Sequence, residues 1–247
     1  MISKNTAKFI KSLQLKKYRK QEQCFLVEGR KSVLEVMESD FNVRLIAGTS
    51  DFCSTNDLSG NEVLQVTEKE LSGLGTLKSN NQAIAVVEMK ASKPFITAND
   101  EYVIALDDIN DPGNFGTILR IADWYGINKI IASETTADFY NPKVISASKG
   151  SFTRVDVFYG NLQEELKELK LPIYGALLDG ENVHQVRFNS GGVLVMGNEA
   201  NGISVGVEAL ITSRVTIPAY GSAESLNVAM ATAIICDNIK RSLSTPL

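Results

Sequence analysis

EYVIALDDINDPGNFGTILRIADWYGINKIIAS, residues 101–133, reads as strand, loop, helix, strand. YVIAL is a continuous apolar run, the mark of a strand buried on both faces. TILRIADWYG has helical spacing and is closed by Gly126 at a C′ position. NKIIAS is a second short apolar strand. The alternation continues downstream. NPKVISASKGS (141–151) reads as a short helix with Pro142 near its start. RVDVFY (154–159) is a strand, and LQEELKELK (162–170) is a charged amphipathic helix. PIYGALLD (172–179), GVLVMG (192–197) and RVTIPA (214–219) are strands, and a last helix runs from about Ser225 to Arg241. Apolar strands alternating with helices predict an α/β domain over 101–247, built on a mostly parallel, doubly covered sheet.

Upstream, the chain reads as a separate small α/β unit over 1–90. A helix is expected over 3–20, with Phe9, Ile10 and Leu13 marking its faces. CFLVEG (24–29), VRLIAGT (43–49), EVLQVT (62–67) and QAIAVVEMK (82–90) have strand composition. GRKSVLEVMES (29–39) has helical spacing, and TEKELSGL (67–74) opens with a capping-box pair, Thr67 and Glu70. Residues 91–100 carry Pro94 and no periodicity, so the linker between the units is placed there.

Composition narrows the function. The 247 residues are 44% hydrophobic and 22% charged, an ordinary globular balance. No apolar run approaches the ~20 residues of a membrane-spanning helix, and the N-terminus lacks the apolar core of a signal peptide. Cys24, Cys53 and Cys236 are far apart and have no histidine beside them, so neither a disulfide framework nor a metal site is indicated. A cytoplasmic protein is the expectation. The net charge is −4, yet residues 1–31 hold nine Lys or Arg against two Glu, +7, which leaves −11 for the rest. Such a basic segment is either a solvated helix face or a contact surface for phosphates.

In an open α/β sheet, ligands sit in the loops at the carboxyl ends of strands. Three such loops here are rich in Gly, Asn and polar residues. In DDINDPGNFGTILR (107–120), Asn114 is placed to cap the following helix, Gly113 and Gly116 permit close approach, and Arg120 is expected near the helix's N-terminal rim. An arginine there opposes the helix dipole, unless it pairs with Asp107, Asp108 or Asp123. In VMGNEANGIS (195–204), Gly197 follows a strand directly, and Glu199 lies between Asn198 and Asn201. In VTIPAYGSAESLNVAMATAII (215–235), Ser225 is the expected N-cap of the last helix, and Asn227 is a polar residue in an apolar first turn. No dinucleotide fingerprint and no P-loop is present. The single histidine, His184, lies outside all three loops.

Taken together and in this order, DPGNFGTILRIA, GNEANGIS and IPAYGSAESLNVAMA resemble the three motifs of the SpoU/TrmH branch of the SPOUT RNA methyltransferases. The resemblance spans residues 101–243. FLVEGRKSVLEVM (25–37) more weakly resembles the ribosomal-protein-like RNA-binding domain that often precedes this catalytic domain. It implies a parallel-sheet SPOUT domain with a C-terminal trefoil knot, preceded by a small α/β substrate-binding domain. It implies transfer of a methyl group from S-adenosylmethionine to a ribose 2′-hydroxyl of rRNA or tRNA, with the extra domain favouring rRNA. It also implies a homodimer with its site completed near the subunit interface, and chemistry that needs no metal.

By motif position, Arg120 is the principal catalytic residue, with Asn114, Glu199, Ser225 and Asn227 positioning ribose, phosphate or Arg120. A guanidinium stays protonated at working pH, so phosphate binding and electrostatic stabilisation of a developing alkoxide suit Arg120 better than a base role. Gly197, Ile217 and Leu226, with Leu178 in a neighbouring strand-end loop, would meet the cofactor. With RNA as substrate, Lys16, Lys17, Arg19, Lys20 and Arg30 become candidate RNA contacts. The competing readings are a noncatalytic RNA-binding or ribosome-assembly protein on the same fold, and a nicotinamide-dependent α/β enzyme. The missing fingerprint argues against the second.

Overall fold

In the computed structural model, which describes residues 2–77, 80 and 82–243, the run at 102–107 is β5 (Tyr102–Asp107), buried at every position. β5 lies at the centre of a six-stranded sheet ordered β10-β8-β9-β5-β6-β7. The other strands are β6 (Lys129–Ala132), β7 (Asp156–Tyr159), β8 (Ile173–Asn182), β9 (Gly192–Gly197) and β10 (Ser213–Thr216). Every pairing in this sheet is parallel, which accounts for the unbroken apolar runs. Strand order reverses between β5 and β9, so the crevice at their carboxyl ends is a topological switch point. The β5–β9 register sets Asp107 beside Gly197 at that edge.

Side chains alternate across β5. Val103 and Ala105 pack with Leu162 and Leu166 of α8 (Leu162–Leu169) and Val207 of α9 (Val205–Glu208). The helices α6 (Pro112–Trp124) and α10 (Val228–Leu243) pack on each other, and α10 also meets β9. α6 begins earlier than its apolar spacing suggests. Asp111, not Asn114, is its N-cap: Asp111 Oδ1 accepts from the Asn114 amide at 2.8 Å, with Pro112 in the first turn. Gly126 follows the helix at φ +64°, as the closing glycine of the sequence pattern requires. α10 likewise starts at Val228 with Asn227 as its cap, since Asn227 Oδ1 accepts from the Ala229 and Met230 amides. Ser225 does not cap it.

The chain divides into two compact units. One comprises Ser92–Ala137 with the chain from Arg154 onward, and the other the chain up to Ala91 with Asp138–Thr153. The second unit holds a four-stranded sheet ordered β1-β4-β2-β3, made of β1 (Cys24–Glu28), β2 (Val43–Gly48), β3 (Val63–Gln65) and β4 (Ala83–Glu88). One sheet face packs Leu26, Leu45, Ala47, Ile84 and Val86 against Ile10, Leu13 and Leu71. The expected helix over 3–20 is two helices, α1 (Lys4–Ser12) and α2 (Lys16–Glu22). The break falls at Leu13–Leu15, where Leu13 is fully buried. α3 (Arg30–Met37), α4 (Ser50–Thr55) and α5 (Glu68–Ser72) complete the unit, and α5 carries the expected Thr67–Glu70 capping box. The segment Asp138–Thr153, with α7 (Pro142–Ser148), joins this unit through an aromatic cluster of Phe25, Phe41, Tyr140 and Phe152. A single boundary at residues 91–100 does not contain that excursion.

Candidate active site

The loops after β5, β9 and β10 emerge at one edge of the larger sheet. From the first comes Asn114, in the opening turn of α6. Its side chain donates to Glu199 Oε1 at 2.7 Å, and its Oδ1 accepts from Asn227 Nδ2 at 2.9 Å. Three residues separated by 85 and 113 positions therefore form one hydrogen-bonded chain, Asn227–Asn114–Glu199. The two ends hold their places by different means. Asn227 is fixed because its Oδ1 caps α10, which leaves its amide group for Asn114. Glu199 is fixed by its turn. Asn198 Oδ1 accepts from the Ala200 and Asn201 amides, and the Asn198 backbone pairs with Gly202.

That turn is tied in turn to the end of β5. Asn198 Nδ2 donates to the Asp108 carbonyl at 2.7 Å and to Asp108 Oδ2 at 3.1 Å. The buried Asp107 carboxylate accepts from the Ser204 amide at 2.7 Å. Gly197 is required by close approach: a Cβ there would lie 2.3 Å from the Gly202 carbonyl carbon. Sequence reasoning misses Asp107, Asp108 and Asn198 as site residues, although the doublet DD at a strand end is a visible signal of a built turn.

Arg120 stands apart. It is the ninth residue of α6, more than two turns in, and not at the N-terminal rim. Six residues beyond Asn114, it projects about a third of a turn round the helix from it. It is exposed and has no hydrogen bond or ion pair to another described residue; Asp123 instead binds Arg154. On the same stripe of α6, one turn on, Trp124 is 83% exposed.

The loop after β10 is the opposite of the Glu199 turn. Residues 217–226 make no hydrogen bond to another described residue, and 219–226 are exposed. Ser225 belongs to this loop and does not join the asparagine chain. Ile217 is partly buried, whereas Leu226 and Leu178 are 52% and 79% exposed. Leu178 is set beside the loop's start by its carbonyl, which accepts from Thr216 Oγ1 at 3.1 Å.

In the smaller unit, Lys16, Lys17, Lys20 and Arg30 are exposed. Arg30 donates to Thr55 and Asn56. Arg19 corrects the sequence expectation. It is 2% exposed, and its guanidinium binds the Leu13 and Gln14 carbonyls and Asp138 at 2.5 Å, so it is not available to RNA. Among the described residues no cluster of His, Cys, Asp or Glu could hold a metal ion, and no helix is long and apolar enough to cross a membrane.

The model of the SpoU rRNA methylase family matches residues 101–237, and that of the MRM3-like substrate binding domain matches residues 4–85. The chain is 31% identical to RlmP of Bacillus subtilis, a 23S rRNA (guanosine(2553)-2′-O)-methyltransferase, over 93% of this chain and 94% of that one. A structure from Porphyromonas gingivalis, described as an RNA methyltransferase of the TrmH family, superposes with a TM-score of 0.88 at 38% identity, covering 98% of this chain and 99% of the other. An AdoMet-bound rRNA methyltransferase from Sinorhizobium meliloti superposes with a TM-score of 0.88 at 26% identity, covering 99% and 97%. With its three motif loops gathered at one sheet edge and a family model spanning more than half its length, this chain belongs to the SpoU rRNA methylase family.

Proposed function

We propose that the protein transfers the methyl group of S-adenosylmethionine to a ribose 2′-hydroxyl of structured rRNA, and that it acts in the cytoplasm. The observation that carries this reading is the Asn227–Asn114–Glu199 chain at the switch point of the sheet, which joins a residue from each motif loop.

The residues present fit the cofactor. The 217–226 loop offers backbone groups not bonded to the described residues. Leu178, Ile217 and Leu226 supply apolar surface of the kind that flanks a purine. When bound, S-adenosylmethionine supplies an electrophilic methyl group on its sulfonium. The protein's part is to hold the ribose oxygen in line and to stabilise its developing charge. Asn114, fixed from both sides, orients the nucleotide with Glu199, and Ser225 and Asn227 complete the positioning set. Arg120 binds an RNA phosphate and lowers the energy of the alkoxide that forms, through charge-assisted hydrogen bonds. A pH–rate profile distinguishes this role from that of a base. Full activity of Arg120→Lys with a shifted profile would make position 120 the base.

The protein is further proposed to be a homodimer with a trefoil knot in its C-terminal part, as the resemblance implies. Support for the dimer comes from α6. Arg120 projects away from Asn114 within one protomer, on a stripe shared with the exposed Trp124. That exposed stripe is the surface a second copy of the chain would cover. Lys16, Lys17, Lys20 and Arg30 are proposed to meet RNA phosphates. Methyl transfer by the wild-type protein, mapped on rRNA, tests the reaction, and sedimentation of Trp124→Glu tests the dimer.

A further inference from the structure

Four described non-glycine residues have positive φ: Gln23, Asp108, Lys149 and Lys170. Three of them end helices, where a left-handed residue is ordinary. Asp108 alone follows a strand, at φ +60°. Such a conformation persists where the surroundings over-determine it, and here they do. The Asp108 amide donates to Ser133 Oγ at 2.9 Å, and its carbonyl and Oδ2 both accept from Asn198 Nδ2. An extended residue at 108 would turn its carbonyl away from Asn198. The same Asn198 side chain accepts from the amides on the far side of Glu199. Glu199 therefore hangs between groups whose anchor is the left-handed turn at Asp108.

We propose that Asp108 is a positioning residue for methyl transfer: its left-handed backbone clamps Asn198 and thereby holds the Glu199 carboxylate against Asn114. This rests on the reading of the protein as a methyltransferase. Asparagine tolerates the left-handed region and keeps an acceptor at Oδ1, whereas β-branched valine does not enter it readily.

The test is a double-mutant cycle on the full-length protein, with kcat and KM for RNA measured separately. Asp108→Val is expected to lower kcat at least tenfold while KM for RNA stays within about twofold, and Asp108→Asn to stay within about twofold of wild type. In a Glu199→Ala background, Asp108→Val is expected to cost less than about twofold, because the residue it acts through is gone. Hydrogen exchange of peptide 198–204 is expected to quicken in Asp108→Val while that of β5 and β9 does not. An equal loss in both backgrounds, or unchanged exchange at 198–204, would overturn the proposal. If wild type transfers no methyl to any RNA, the reading of function fails, and the exchange result alone decides whether Asp108 holds the turn.

Discussion

The turn after β9 and the loop after β10 emerge at the same edge of the sheet but are held in opposite ways. Residues 198–204 are bound on both sides, through Asn198 to Asp108 and through Ser204 to Asp107. Residues 217–226 have no hydrogen bond to any described residue and carry the exposed Leu226. The difference teaches how the site divides its work. On the proposed function, the groups that orient the nucleotide, Asn114 and Glu199, are held ready, since reorganisation at the moment of reaction would cost rate. In the loop proposed to enclose the cofactor, the backbone groups have no partner among the described residues, and on that reading the cost of ordering them is set against binding.

The strongest way to break this division is at its rigid half. Asn114→Ala removes the hub of the asparagine chain and is expected to lower kcat by about 10²–10³-fold, the range for losing a preorganised polar group. If the site is shared between subunits, mixing inactive Asn114→Ala with inactive Arg120→Ala restores about a quarter of wild-type activity, because half the dimers then hold one intact site. No recovery would place both residues in one protomer's site. α2 shows the same contrast in miniature, with Arg19 fixed and its neighbours free. Arg19→Ala strands Asp138 in a largely buried setting and should lower stability by about 3 kcal/mol in urea melts.

Gly197→Ala presses a methyl against the Gly202 backbone and is expected to weaken S-adenosylmethionine binding about tenfold by calorimetry. The triple change of Lys16, Lys17 and Lys20 to Ala should flatten the salt dependence of RNA binding by about 2 units of slope. An unchanged slope would make those lysines a solvated face. The smallest effect belongs to the free half: a Cβ on Gly221 would meet nothing within 4 Å, so Gly221→Ala should change cofactor affinity less than about twofold.

Sequence reading reaches the larger sheet because a strand buried on both faces leaves unbroken apolar runs such as YVIALD and GVLVMG. It also brings Asn114, Glu199 and Asn227 to one place, since motif loops at strand ends converge by topology. Helix starts are less legible. Asp111 and Asn227 are the caps, while Asn114 and Ser225 have equally good capping chemistry, so residue type alone does not choose between them. The burial of Arg19 and the excursion of 138–153 are not legible. Both depend on contacts with residues over a hundred positions away, Asp138 for Arg19 and Phe25 for Tyr140. The left-handed Asp108 likewise shows itself only once Ser133 and Asn198 are seen around it.

The most direct measurement is methyl transfer from labelled S-adenosylmethionine to total RNA from a strain lacking this gene, with wild type and Arg120→Ala side by side and the 2′-O-methyl positions mapped. Label entering one rRNA ribose with wild type, and none with Arg120→Ala, is the predicted result. Absence of label with every RNA tried, together with no binding of S-adenosylmethionine, would contradict it and leave a noncatalytic RNA-binding protein on the same fold.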